Sequence, residues 1–251
     1  MHTRFSRPHM NSLLLASCGM LLLSNSHTKA TTTQEEVNRF PIVKCSMTPS
    51  AYERILMTTL RDIHSTREQF RNAANKLIEL LVPKVVECLA TTTINIQTPV
   101  APCLGEILSD TLQLVSVMRS GDVPLKVFSE HFTNAPINKI LIQRNEETAE
   151  PIFKYMKLSP TLAQATKVII VKPMIATGGT LALLINLLKK LGVAEENIII
   201  ASICAAPEGL EVLSREFPKI SVVVTVIDVC LNEKKYISPG IGDFGDRYFG
   251  T

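Results

Sequence analysis

Two glycines flanked by threonines, Thr177-Gly178-Gly179-Thr180, are the residues of this chain best suited to hold a phosphate. Glycine lets the main chain curl close to an anion, so that successive N–H groups converge on its oxygens, and the two hydroxyls add donors. The spacing is neither G-x-x-x-x-G-K-[ST] nor G-x-G-x-x-G, so it argues for an anion in general rather than a particular nucleotide. A tight strand–helix connection that binds nothing is the competing reading. Arg119, followed by Ser120 and Gly121, and Arg144, which follows a second apolar run, could supply guanidinium groups to the same anion. The end of the chain, Tyr236 to Thr251, has different chemistry, with four glycines, a proline and several aromatic residues. A glycine-rich irregular loop exposes backbone donors and acceptors that can read the edge of a flat heterocycle, and the aromatics argue that this loop packs.

These groups need elements to bring them together. Val168 to Val171 is a β-branched run without alternation, which predicts a strand buried on both faces. An apolar-periodic helix follows over about 181–191, with Gly192 where a left-handed cap belongs. Val115 to Met118 predicts another buried strand ending at Arg119, and open α/β sheets present ligand contacts at such carboxyl ends. A helix over 123–132, a strand over 139–142, a polar hairpin-like arm over 143–158, a strand over 197–204, a helix over 207–215 and a strand over 222–227 complete the alternation. Strand and helix in turn predict a parallel sheet with right-handed crossovers. Upstream, a helix starts near Thr48, with Pro49 at its first position fitting that start better than Ser50. A second helix from Arg67 carries Phe70, Ala73, Leu77 and Leu81 on one face, and Pro83 should kink or end it. Residues 91–98 alternate as an edge strand would, and 106–114 reads as helical or irregular.

The chain has 251 residues, 46% hydrophobic and 20% charged, with a net charge of +3. That suits one α/β domain with an appendage and argues against a nucleic-acid-binding surface. None of the six cysteines forms a C-x-x-C pair, so they read as reduced thiols, and no clustered ligands suggest zinc. Residues 1–40 differ in composition from the rest. Arg4 and Arg7 precede an apolar run, Leu13 to Leu23, of signal-peptide length. Leu15-Ala16-Ser17-Cys18 also looks like a lipobox, and the lack of acids in residues 1–34 suits a mitochondrial leader. An unordered extension from an upstream start codon is the plain alternative. The expected organisation is an extension over 1–40 and one domain over 41–251.

Together, Met118-Arg119-Ser120-Gly121, KILIQRNEET (Lys139 to Thr148), PMIATGGT (Pro173 to Thr180), AAPEG (Ala205 to Gly209) and YISPGIGDFGDRYFGT (Tyr236 to Thr251) resemble the uracil phosphoribosyltransferases, particularly the eukaryotic type. The resemblance covers about four-fifths of the chain, in order. It implies the type I phosphoribosyltransferase fold: a parallel sheet flanked by helices, with a small C-terminal hood and a β-arm. The implied reaction is uracil plus phosphoribosyl pyrophosphate (PRPP) giving UMP and pyrophosphate, with Mg²⁺. By resemblance, Met174 and Ala176, Thr177, Gly178, Gly179 and Thr180 contact PRPP, while Arg119 and Arg144 meet its pyrophosphate. Backbone groups of Tyr236, Ile237, Gly242 and Phe244 read uracil, and Asp243 helps to order metal or pyrophosphate. A homodimer or higher homo-oligomer in the cytoplasm is also implied.

Three positions depart from the family pattern. Where members carry an acid holding the ribose hydroxyls, this chain has Lys172, whose ammonium offers three donors and no acceptor. Asn145 stands for Asp, and Ile63 for Lys. Two functions therefore stay open. One is a working enzyme in which Glu146, Glu147 or the metal compensates. The other is a catalytically silent homologue that binds PRPP, uracil or UMP as a sensor or partner subunit.

Overall fold

The structure, a computed structural model, describes residues 37–45, 49–144 and 151–251. The side chains of residues 45, 144 and 151 lie outside that description, as do Thr48, Asn145, Glu146 and Glu147. Its frame is an eight-stranded sheet. The strands, in chain order, are β1 (Val43–Cys45), β4 (Leu112–Met118), β5 (Ile137–Arg144), β6 (Pro151–Lys157), β7 (Lys167–Val171), β8 (Met174–Ile175), β9 (Ile198–Ala205) and β10 (Ser221–Ile227). They lie in the order β1-β10-β9-β7-β4-β5-β6, and β8 also pairs with β9. All pair in parallel except β6, which returns antiparallel to β5. The expected arm thus widens the sheet along that edge.

Unalternating apolar runs give the central strands because both faces of the sheet are covered. On one face lie α1 (Ala51–Arg61), α2 (Arg67–Val86) and α3 (Asp122–His131). On the other lie α4 (Gly179–Lys190) and α5 (Pro207–Glu216). Gly192 takes φ +93°, the left-handed cap expected after α4. Val37 and Phe40 are buried in the second layer, and Phe40 C=O accepts from Val43 N–H at 2.8 Å as the chain enters β1. A domain boundary drawn at residue 40 therefore passes through packed residues.

Several local expectations are corrected. The cap of α1 is Ser50: its hydroxyl accepts from Glu53 N–H at 3.2 Å, and the Glu53 carboxylate accepts from Ser50 N–H at 2.9 Å. This reciprocal capping box satisfies two otherwise orphaned donors. Pro83 does not end α2, which runs three residues further because Val82 and Val85 are buried in the core on either side of it. Of residues 106–114, expected to be helical or irregular, 106–108 and 112–114 are strand and only the connection over 109–111 is irregular. β2 (Thr91–Gln97) and β3 (Pro102–Leu108) form a separate antiparallel hairpin, mostly exposed along both strands, and β4 follows at Leu112. Asp110 accepts from Ala90 N–H at 2.6 Å and closes the hairpin base. The alternation over 91–97 was thus the mark of a hairpin outside the main sheet.

The C-terminal stretch is also more regular than its glycines suggest. β11 (Cys230–Leu231) pairs with β12 (Ile237–Ser238), and α6 (Phe244–Phe249) follows, capped by Asp243, whose carboxylate accepts from Asp246 N–H at 2.9 Å. Phe244 is fully buried, 5.6 Å from the Phe70 ring and stacked on Tyr248. Cys103 and Cys204 are free thiols as expected, but Cys230 is disulfide-bonded. No described helix is long and apolar enough to cross a membrane.

Candidate active site

At the carboxyl ends of β4, β5 and β7 the chain surrounds a cleft of about 700 Å³. Its floor is the glycine loop over residues 176–180. Gly178 caps α4 at φ +80°, a conformation open to glycine at little cost, and Gly179 begins the helix. The first-turn N–H groups, from Gly179 to Leu181, have no acceptor within the helix, and the positive end of its dipole lies with them. Gly179 N–H makes only a long contact, 3.5 Å, to the Thr177 hydroxyl.

The sequence signal for this loop was incomplete. A Cβ at Gly209 would lie 2.3 Å from the carbonyl oxygen of Ala176, so the glycine of AAPEG is what lets α5 pass beneath the loop. Gly121 plays the same part next to Arg119, where a Cβ would meet the carbonyls of Val117 and Val171 at 2.6 and 2.7 Å. Both glycines sit in motifs that resemblance picked out, but their role is backbone clearance between elements.

The structure brings most of the sequence-predicted residues onto one surface. Arg119, Lys172, Met174, Ala176, Thr177, Gly178 and Thr180 line one side of the cleft. Tyr236, Ile237, Gly242, Asp243 and Phe244 line the other. Gly179 contributes through its place in the helix. Arg144 ends β5 next to cleft-lining Gln143, and its side chain is outside the described residues. The Met118–Arg119 peptide is cis. The Arg119 guanidinium turns toward the chain end, donating to Asp246 at 2.8 Å and to the Thr251 hydroxyl at 2.9 Å, 5.5 Å above the Phe249 ring. Lys234 and Lys235, which sequence reasoning did not assign, also line the cleft. They lie in the turn between β11 and β12, where Lys235 takes φ +64° and donates its N–H to Asn232 C=O at 2.9 Å.

Among the described residues, Arg119, Lys172, Lys234 and Lys235 face one lining carboxylate, Asp243. Such a balance favours a polyanionic ligand. Below the cleft, burial and the nearby Asp228 charge push the Cys204 thiol far up, so it stays protonated and is no nucleophile. The described residues hold no group of three or more His, Cys, Asp or Glu side chains that could cage a metal ion.

A parallel sheet with a glycine-built anion loop and a backbone-lined pocket at its strand ends defines a nucleotide-handling α/β protein of the type I phosphoribosyltransferase fold. Residues 47–251 match the family model for uracil phosphoribosyltransferase, and the chain belongs to that family. It is 40% identical over 200 residues to the uracil phosphoribosyltransferase of Dictyostelium discoideum, covering 78% of this chain and 91% of that protein. Against uracil phosphoribosyltransferase 1 of Schizosaccharomyces pombe the identity is 37%, over 78% of this chain and 90% of the relative. The solved structure of a protein from Aquifex aeolicus superposes with a TM-score of 0.72 at 28% identity, covering 82% of this chain and 98% of that one.

Proposed function

We propose that this protein transfers the phosphoribosyl group of PRPP to uracil, giving UMP and pyrophosphate. The observation that carries the reading is the union, in one cleft, of a phosphate loop at the N-terminus of α4 and a glycine-rich backbone surface over Tyr236–Phe244. In the reaction, a bond forms between uracil N1 and ribose C1′ as the bond from C1′ to the pyrophosphate oxygen breaks, and uracil loses its N1 proton. The first-turn N–H groups of α4 hold the 5′-phosphate, and the cationic rim attracts the pyrophosphate. Main-chain groups near Gly242 match the donors and acceptors of the base edge. Formation of UMP from labelled uracil and PRPP by the purified protein tests the reading; no product above background, with no uracil binding by calorimetry, overturns it.

The donor set fits Mg²⁺ in one way only. Among the described residues Asp243 is the single lining carboxylate, so an ion held by them takes most of its oxygens from PRPP and water, as Mg²⁺ commonly does with phosphate ligands. When bound it would neutralise the leaving pyrophosphate.

Lys172 bears on rate more than on binding. Positive charge develops on the ribose as pyrophosphate leaves, and an ammonium nearby repels it where a carboxylate would attract it. The same ammonium favours PRPP in the ground state, which does not accelerate the chemical step. We therefore take turnover to be slow beside binding. A silent homologue that binds PRPP or UMP as a sensor is the limiting form of this reading, favoured by Lys172 itself.

A homo-oligomer is also part of the proposal. The β2–β3 hairpin pairs with no other described strand and exposes Leu104 (71%) and Val100 (93%) at its surface, which suits a second copy. Sedimentation equilibrium at the monomer mass throughout the micromolar range would refute it.

A further inference from the structure

The base loop is tied to the sheet by a relay that does not itself line the cleft. Arg61 closes α1 with its side chain only 18% exposed, and it grips Asp228, which is fully buried. Nη2 lies 2.5 Å from Oδ1 and Nη1 3.2 Å from Oδ2. Asp228 follows β10 directly, and its N–H donates to Ala205 C=O at 2.8 Å, so the carboxylate is fixed to the strand ends. The same Nη1 then donates to Gly240 C=O at 2.9 Å. Gly240 sits in the turn after the cis Ser238–Pro239 peptide at φ +64°, where a Cβ would fall 2.0 Å from Ile237 C=O. The next carbonyl is held as well. Arg247, 4.4 Å over the Phe70 ring, donates to Ile241 C=O at 2.9 Å and to Asp62 C=O at 2.7 Å. Two successive carbonyls just before Gly242 are therefore pinned by guanidinium groups to the end of α1.

We propose that Arg61 is the positioning residue for base recognition: through Asp228 it carries the fixed geometry of the sheet to the Gly240 carbonyl, and so sets the backbone of the loop that meets uracil. This rests on the proposed uracil phosphoribosyltransferase reading of the cleft. A glycine-rich loop has many conformations, and backbone donors and acceptors recognise a ligand well only when they are held in place beforehand. Arginine suits the task because its planar fork serves Asp228 and Gly240 at once, whereas a lysine ammonium lacks that fixed geometry. The phosphate loop has no such tie to Arg61, so the effect should fall on the base and spare PRPP.

The test uses the full chain and two variants, Arg61→Lys and the paired Arg61→Met/Asp228→Leu, which avoids leaving a buried carboxylate alone. Uracil and PRPP are titrated separately in steady-state UMP formation, or by calorimetry if turnover is too slow. Expected is a rise of tenfold or more in the uracil KM or Kd of the paired variant, a smaller rise for Arg61→Lys, and PRPP values within twofold of wild type. If the paired variant does not melt cooperatively, Arg61→Lys carries the test alone. An unchanged uracil constant in a folded variant, an equal rise for both ligands, or failure of both variants to fold reduces Arg61 to a structural pair and overturns the proposal. Wild-type protein that neither forms UMP nor binds uracil instead overturns the reading on which the proposal rests, whatever the variants do.

Discussion

Lys172 follows β7 and lines the cleft, on the side of the Gly178–Gly179 loop. At ~6 Å and an effective dielectric of about 20, one unit charge is worth roughly 3 kcal/mol to a developing charge on the ribose. Exchanging repulsion for attraction is then worth up to about 5–6 kcal/mol, on the order of 10⁴ in rate, before solvent and metal reduce it. Lys172→Asp should accordingly raise kcat while weakening PRPP binding. Stopped-time assays on both proteins decide this, and an unchanged kcat rejects the charge argument. Gly242 makes the complementary case at the other end of the cleft. Its φ of +71° is costly for a β-branched residue, and a Cβ would already stand 3.3 Å from Arg247 Cδ. Gly242→Val should displace the loop at a cost on the order of 1–3 kcal/mol, raising the uracil KM roughly 5- to 150-fold with the PRPP KM nearly constant. Equal uracil affinity in calorimetry would remove Gly242 from the base site.

Among the elements, α1 holds the arginine relay, and its start depends on Glu53. Burial opposes ionisation of this carboxyl, but the Lys84 ammonium and Ser50 N–H outweigh burial and hold it below its ordinary value of 4.5. A carboxyl whose pKa is depressed by folding stabilises the fold above its unfolded value and loses that contribution as pH falls through the folded one. The contribution is thus complete above about pH 5.5 and fades below 4.5. Glu53→Gln should cost about 3 kcal/mol at pH 7, because Lys84 is left without its carboxylate in a mostly buried setting. Urea melts should show the gap between variant and wild type narrowing toward pH 4. A gap independent of pH would mean that packing, not charge, holds the helix start.

For the molecule as a whole, the N-terminal boundary matters most. The family match begins at residue 47, yet Val37 and Phe40 are already buried against the sheet. A chain begun at Val37 should melt at the full-length temperature. One begun at Pro41 loses both side chains, at about 1.5–3 kcal/mol each for full burial, and should melt several degrees lower. Equal melting of the two shortened chains would show that the packing upstream of β1 adds nothing.

Much of this was legible in the residues. The runs Val168–Val171 and Val222–Ile227 declare buried parallel strands because a strand covered on both faces can only be apolar without alternation. Gly178 and Gly192 mark the two ends of α4 because left-handed backbone favours glycine. Arg119 at a strand end and the glycine-rich, aromatic tail were also legible as ligand contacts, and resemblance added only which ligands they would meet. Composition could not reveal that residues 102–108 leave the main sheet to pair with 91–97, since exposed alternation looks alike on an edge and in a free hairpin. Nor could it show that Arg119 turns to Asp246, 127 residues away, or that Arg61 meets Asp228 across 167 residues. Periodicity and turn chemistry act over a few residues and are written locally. Which guanidinium meets which carboxylate is decided only when the sheet stacks its strand ends and folds the tail back over α1.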